Sequence, residues 1–160
     1  STYLRLSTRP LEQPKNHAID YPSKDIIAGA YWKIVPGPTT KHIIAYSGAV
    51  APEAGEAAAQ PGKALLAITS ADQLHRDWIR LGTGSHIYRL ISMAPEKAKI
   101  VSILDGHPAT LSWLGGVAGH AITPLGVQCF GESADIPDLY RVHGIDLDAI
   151  RRAMAEEYST

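Results

Sequence analysis

The sequence predicts a three-layer α/β sandwich, in which a mixed, mainly parallel sheet of about five strands carries helices on both faces. Two patterns predict this class. Short segments that are almost wholly apolar, such as Ile43-Ile44-Ala45, are typical of strands buried within a parallel sheet. Segments of helical composition separate these strands, and a regular alternation of strand and helix is typical of parallel α/β folds.

The first half of the folded part is predicted to contain three strands, at residues 28–35, 42–46 and 64–69. A helix over residues 49–60 joins the second strand to the third. Pro52 suits the first turn of this helix, and Glu53 suits the positive end of its dipole. Ser70 is expected to cap the helix that follows the third strand.

The second half is predicted to contain two further strands and three helices. The strands are expected at residues 100–104 and 120–125, and the helices at residues 108–117, 136–143 and 147–157. Asp146 is the expected cap of the last helix, because Gly144 ends the helix before it. Residues 87–90 are compatible with either a strand or a helix.

Length and charge limit the possible functions. A chain of 160 residues suits one domain with a substantial core. Its 15 basic and 16 acidic side chains are interspersed and give a formal net charge of −1, which excludes recognition of nucleic acid by bulk charge. No apolar stretch approaches the ~18–20 residues that a membrane helix needs.

Cys129 is the only cysteine in the sequence. An internal disulfide framework and a cysteine-built metal site are therefore both excluded. Cysteine usage of this kind predicts a location in the reducing cytoplasm.

The seven histidines do not have the spacing of a metal site, since no two are four residues apart and the HExxH motif is absent. Ser47-Gly48 lacks the GxSxG pattern of a nucleophile elbow. Gly82-Thr83-Gly84-Ser85 lacks the Lys-Ser/Thr ending of a phosphate-binding loop. We therefore predict no catalytic residue and no metal ligand. The three tryptophans are far apart in the sequence, and each is expected in a core or an interface rather than in a stacking platform.

Polar residues follow three of the predicted strands. Ser47, Ser70 and the pair Asp105 and His107 stand where these strands end, and parallel α/β folds bind ligands at the carboxyl ends of their strands. These four residues form a candidate site for a small anion. The alternative is structural: Asp105-Gly106 forms a turn, and His107-Pro108 begins a helix.

Three segments, in order along the chain, resemble the transketolase superfamily of thiamine-diphosphate enzymes. Residues 125–135 and 139–146, with Phe130-Gly131-Glu132-Ser133 and His143-Gly144-Ile145, resemble the closing segment of transketolases and of homodimeric 2-oxo acid dehydrogenase E1 components. Residues 23–31 resemble the entry into the C-terminal domain, and residues 3–9 resemble the last strand of the pyrimidine-binding domain before it.

The resemblance implies a transketolase C-terminal domain-like fold at residues 26–160, preceded at residues 1–25 by the last strand of the previous domain and a linker. It also implies a structural and dimerising role without chemistry. Thiamine diphosphate and Mg²⁺ would be bound by upstream domains of the same polypeptide and not by this domain. The parent enzyme would be a homodimer. A parent of the E1 type decarboxylates a 2-oxo acid and passes the acyl group to a lipoyl-bearing acyltransferase, whereas a transketolase moves a two-carbon unit between sugars.

Arg9 is the one substrate-binding candidate that the resemblance supplies. It lies in Leu6-Ser7-Thr8-Arg9-Pro10, near the position where an arginine of transketolases holds a sugar phosphate in a Leu-Ser-Arg-Gln context. The spacing differs by one residue and proline replaces glutamine, so a solvated linker arginine is the alternative.

The sequence begins with a strand-like run, which we interpret as a sign that it is part of a longer chain. The alternative is removal of an initiator Met, which Ser1 permits. Two other functions stay open. One is a self-standing α/β module that binds a small anion or a partner chain, in which the opening strand would pair within the sheet. The other is an independent hydrolase.

Overall fold

A computed structural model describes residues 22–129 and 133–155. Four predicted features lie outside the described residues: the opening strand, the linker up to residue 21, Arg9 and the helix end at residues 156–157. The helices are α1 (Ser23–Ala28), α2 (Ala51–Ala58), α3 (Ala71–Leu81), α4 (His86–Ile91), α5 (Ala109–Ser112), α6 (Gly115–Ala118), α7 (Ile136–Val142) and α8 (Leu147–Ala155). The strands are β1 (Ala30–Ile34), β2 (His42–Ser47), β3 (Lys63–Ile68), β4 (Lys99–Leu104) and β5 (Ile122–Leu125).

The five strands form one mixed sheet in the order β1-β3-β2-β4-β5. Strand β1 runs antiparallel to β3, and every other neighbouring pair is parallel. From the central strand β2 the chain moves to β3 on one side and then crosses to β4 on the other. The carboxyl ends of β2 and β4 therefore form the topological switch point of the sheet. Strand β5 is an edge strand, which accommodates Pro124 because an edge position needs one hydrogen-bonded side only.

Helices cover both faces of the sheet, as three layers require. On one face, Leu74 of α3, Ile87 of α4 and Leu111 of α5 pack against the inward side chains of the strands. On the other face, Ala54 of α2, Tyr140 of α7 and Ile150 of α8 do the same. The predicted fold class, a mixed and mainly parallel sheet of about five strands with helices on both faces, is confirmed.

Most observed elements differ from the predicted ones by one or two residues at their ends; the strand expected at residues 120–125, for instance, begins at Ile122. The strand expected at residues 28–35 begins at Ala30, because the chain before it forms α1 and ends that helix at Gly29 with φ 111°. The helix expected at residues 108–117 is divided into α5 and α6. A Cβ atom at Gly115, the first residue of α6, would lie 2.6 Å from Ile122 Cγ2, so glycine is what permits this approach of α6 to β5.

Of the two predicted helix caps, Asp146 is confirmed and Ser70 is wrong. Asp146 caps α8, because its Oδ1 accepts a hydrogen bond from the Ala149 amide at 2.8 Å. Ser70 stands at the start of α3 but makes no side-chain cap hydrogen bond. Its hydroxyl instead donates a hydrogen bond to Asp72 Oδ1 at 2.8 Å, within the first turn of the helix.

Two of the three tryptophans lie together in the fold, although all three are far apart in the sequence. Trp32 packs against the core beneath α3 and α4. Trp78 and Trp113 stack with their ring centroids 5.5 Å apart, and His75 meets the edge of Trp113 at 5.0 Å. This partly buried aromatic cluster links α3 to the end of α5.

Candidate functional site

The four predicted strand-end residues lie along one edge of the sheet. Ser47 is the last residue of β2 and pairs in register with Leu104, so Asp105 follows directly beside it. Ser70 lies two residues beyond the end of β3, and His107 lies three residues beyond the end of β4. The sequence analysis correctly placed these residues at strand ends. The described side-chain hydrogen bonds of Ser70 and His107 are with residues two positions further along the chain, whereas that of Ser47 reaches the end of β3.

The two serines are committed to hydrogen bonds within the chain. Ser47 Oγ donates to the Ile68 carbonyl at 3.1 Å and so connects the ends of β2 and β3. The hydrogen bond from Ser70 holds the pKa of Asp72 below its ordinary value, because it stabilises the ionised carboxylate. The proton of the Ser47 hydroxyl is donated to a backbone carbonyl, which is not a base, so this contact does not activate Ser47 as a nucleophile.

The contacts of His107 match the structural alternative for this segment. Its Nδ1 accepts a hydrogen bond from the Ala109 amide at 3.2 Å, at the start of α5. The carbonyl of Gly106 accepts from the Val127 amide at 2.8 Å. Asp105 is exposed. The turn after β4 is thus held to the segment that follows β5.

The segment that follows β5 packs closely against the turn after β4. A Cβ atom at Gly126 would overlap the Gly106 carbonyl oxygen and lie 2.8 Å from the Pro108 nitrogen. Only glycine permits this approach of two backbone segments. Residues 126–127 therefore pack directly over the turn after β4.

A row of basic side chains occupies the opposite edge of the sheet. His42 pairs in register with Lys63 on one side and with Lys99 on the other. Burial lowers the pKa of His42, a hydrogen bond with the Met154 backbone partly opposes this, and the nearby lysines lower it further. Burial also lowers the pKa of Lys63, with a further contribution from Arg151. The neutral form of His42 is thus favoured in the folded state.

The structure also contains two surface grooves that the sequence did not predict. One, of about 580 Å³, lies between α3 and α4 and is lined by basic side chains. The other, of about 400 Å³, lies between α2 and the α7–α8 turn and is lined by acidic ones, including Glu53 and Asp148. Neither is lined by any of the four strand-end residues.

Over residues 22–129 and 133–155, no group of three or more histidine, cysteine, aspartate or glutamate side chains is placed to hold a metal ion. Within the same residues, no helix is both long and apolar enough to cross a lipid bilayer. The strand-end residues stay a prediction for a ligand site, and Arg9 lies outside the described part of the chain.

Solved structures identify the fold. Transketolase from Campylobacter jejuni superposes with a TM-score of 0.61 at 16% sequence identity, and transketolase from Leishmania mexicana with a TM-score of 0.58 at 21% identity. Both alignments cover 82% of this chain and 19% of the transketolase chain. A split-gene transketolase, described as an inactive beta4 tetramer, gives a TM-score of 0.54 at 11% identity, over 78% of this chain and 42% of that one.

No protein-family model matches the sequence, and no curated protein matches it either. At these identities the likeness to transketolases establishes the fold alone. The chain has a transketolase C-terminal domain-like fold, as the resemblance in its sequence predicted. It spans about a fifth of the length of the transketolases that it matches.

Proposed function

We propose that this chain is the non-catalytic C-terminal domain of a thiamine-diphosphate-dependent enzyme of the transketolase superfamily. The observation that carries the proposal is the superposition on transketolases over 82% of this chain and only 19% of theirs. The motif segments at residues 23–31, 125–135 and 139–146 support it, because they stand in the order of that family.

In this proposal residues 1–25 are the last strand of the preceding domain and a linker, and residues 26–160 are the C-terminal domain. Upstream domains of the same polypeptide hold thiamine diphosphate and Mg²⁺, and the cofactor supplies the carbon–carbon bond chemistry. The parent enzyme is a cytoplasmic homodimer. It either transfers a two-carbon unit between sugars or decarboxylates a 2-oxo acid and passes the acyl group to a lipoyl-bearing acyltransferase.

The proposed role of this domain is to stabilise the dimer. The described part of the surface has large exposed apolar side chains on both faces, such as Ile79 of α3 at 68% exposed and Val142 of α7 at 64%. The split-gene transketolase supports the role indirectly, because that protein is a tetramer and yet inactive.

The cofactor content of the native protein tests the proposal. An antibody raised against this chain is used to purify its antigen from source cells, and thiamine diphosphate is measured in the eluate by conversion to fluorescent thiochrome. We expect about one thiamine diphosphate per antigen chain, and either two-carbon transfer or 2-oxo acid decarboxylation in the same fraction. An antigen that is pure, folded and free of thiamine diphosphate after incubation with the cofactor and Mg²⁺ would refute the proposal.

A further inference from the structure

The groove between α3 and α4 has the size and charge of a ligand site. Its volume of about 580 Å³ falls within the range of small-molecule sites, which is roughly 300–1,000 Å³. Arg76 and Arg80 of α3 line it, one helical turn apart on the same face, and Arg89 of α4 lines it as well. Three guanidinium groups from two helices therefore converge on one concave surface.

Arg76 is available to a ligand. Its Nη2 lies 3.1 Å from Asp72 Oδ2, but the two side chains are 75% and 76% exposed. Ion pairs with this exposure are weak, because water screens both charges. A ligand anion in the groove can therefore replace Asp72 as the partner of Arg76.

Arg89 has a neutral partner. His86 Nε2 lies 2.8 Å from the Ala30 carbonyl, and a carbonyl only accepts, so Nε2 carries the proton. The other ring nitrogen, Nδ1, is then free to accept a hydrogen bond from Arg89 Nη2 at 3.3 Å. Among the residues that the structure describes, no carboxylate lies within salt-bridge distance of Arg89.

Asp77 is the one carboxylate among the described side chains that line the groove, and both of its oxygens are in use. Oδ2 accepts from the His86 amide at 2.9 Å, and Oδ1 accepts from Arg80 Nη2 at 3.4 Å. Asp77 thus fixes α4 against α3 and does not neutralise the rest of the groove. Three arginines against one aspartate leave a formal charge of +2 on the lining.

We propose that this groove binds a small organic molecule through its phosphate group. A phosphate monoester carries about −1.5 to −2 charges and three acceptor oxygens, which match the excess charge and the several guanidinium groups better than one carboxylate does. The groove is larger than one phosphate ion, and Ala28 and Leu81 provide apolar wall for the rest of the molecule. The proposal does not depend on which enzyme the chain belongs to.

Titration of the isotope-labelled 160-residue chain with glycerol 3-phosphate, followed by amide NMR, tests the proposal. Inorganic phosphate is titrated in parallel, and ionic strength is matched with chloride. We expect saturable shifts confined to amides around α3 and α4, with the ester binding more tightly than inorganic phosphate. Arg89→Gln and, separately, Arg76→Gln should each weaken binding of the ester about tenfold, which is the loss expected for one charge-assisted hydrogen bond.

Arg152→Gln is the matched control. Arg152 is an exposed arginine of α8, on the opposite face of the sheet, so its replacement removes the same charge without touching the groove. Thermal melts confirm that each variant is folded. Equal weakening by Arg152→Gln would show unspecific charge attraction, and shifts that never saturate would show no site. If inorganic phosphate bound as tightly as the ester, the ligand would be the free ion, and the proposal of an organic phosphate would be wrong.

Discussion

Gly29 lies between α1 and β1, where two features of the structure require glycine. Its φ of 111° is a conformation that other residues rarely adopt. A Cβ atom there would lie 2.8 Å from Leu74 Cγ and 2.9 Å from the Ser70 carbonyl oxygen. The residue therefore sets how closely the start of β1 approaches α3.

Alanine at position 29 is expected to destabilise the fold by about 1–3 kcal/mol, through backbone strain and overpacking. Gly55 offers a matched comparison within α2, where a Cβ atom would meet nothing within 4 Å. Gly55→Ala is expected to stabilise by about 0.5–1 kcal/mol, since glycine disfavours helix. Urea unfolding of both variants measures the two effects, and changes of the same sign would contradict this account.

His42 is expected to make stability depend on pH. Its pKa in the folded state lies below the ordinary 6.5, so the unfolded state binds the proton more readily. Stability is therefore full above pH 6.5 and falls as the pH drops through 6.5 towards the folded pKa. His42→Gln, which keeps a hydrogen-bond donor, should flatten the stability profile between about pH 7.5 and about pH 5. Parallel profiles for the two proteins in urea unfolding would exclude His42 as the source.

At the scale of elements, α8 depends on its cap. It carries Ile150, Ala153 and Met154 into the core beside α2, and Asp146 satisfies one amide of its first turn. A helix of this length is marginal alone, so its ends and its buried face decide its stability.

Asp146→Ala is expected to cost about 1 kcal/mol of unfolding free energy, the typical value of a lost N-terminal cap. Asp146→Asn serves as the control, because the amide oxygen still accepts the hydrogen bond from Ala149. Chemical denaturation separates the two variants. A loss in the asparagine variant as large as that in the alanine variant would assign the effect to charge instead of capping.

The elements show what the sequence could predict. Strands β2, β3 and β4 were predictable, because both faces of each are buried and their inner residues are almost all apolar, with Ser102 of β4 as the exception. The prediction missed α1, since a six-residue helix that ends at Gly29 leaves little periodic signal. The predicted Ser70 cap was wrong: the hydroxyl is hydrogen-bonded to Asp72 and caps no helix amide, and the helix signal alone does not show which contact this side chain makes.

The site was predictable only in part, for a similar reason. Sequence placed Ser47 and Asp105 at the ends of strands, and the register of β2 with β4 shows that these two strands are neighbours. It did not show that the Ser47 hydroxyl is bonded to Ile68. The groove of Arg76, Arg80 and Arg89 escaped prediction, because it arises from the packing of α3 on α4. The four-residue spacing of Arg76 and Arg80 was its only visible signal.

At the scale of the whole molecule, the sheet lies between two hydrophobic cores. The described surface has three notable features. At the carboxyl ends of the strands, the backbone at Gly126 packs against the turn after β4. The amino ends carry the row of basic side chains around His42. The arginine groove lies between α3 and α4.

The central claim is that this chain works as one domain of a larger thiamine-diphosphate enzyme, and the mass of the native polypeptide tests it most directly. An antibody raised against the chain is used to probe denatured extract of source cells. We expect a single band several times larger than 17.2 kDa, in keeping with a chain that spans 19% of the transketolases it matches. A single band at 17.2 kDa would contradict the claim and would favour a self-standing module.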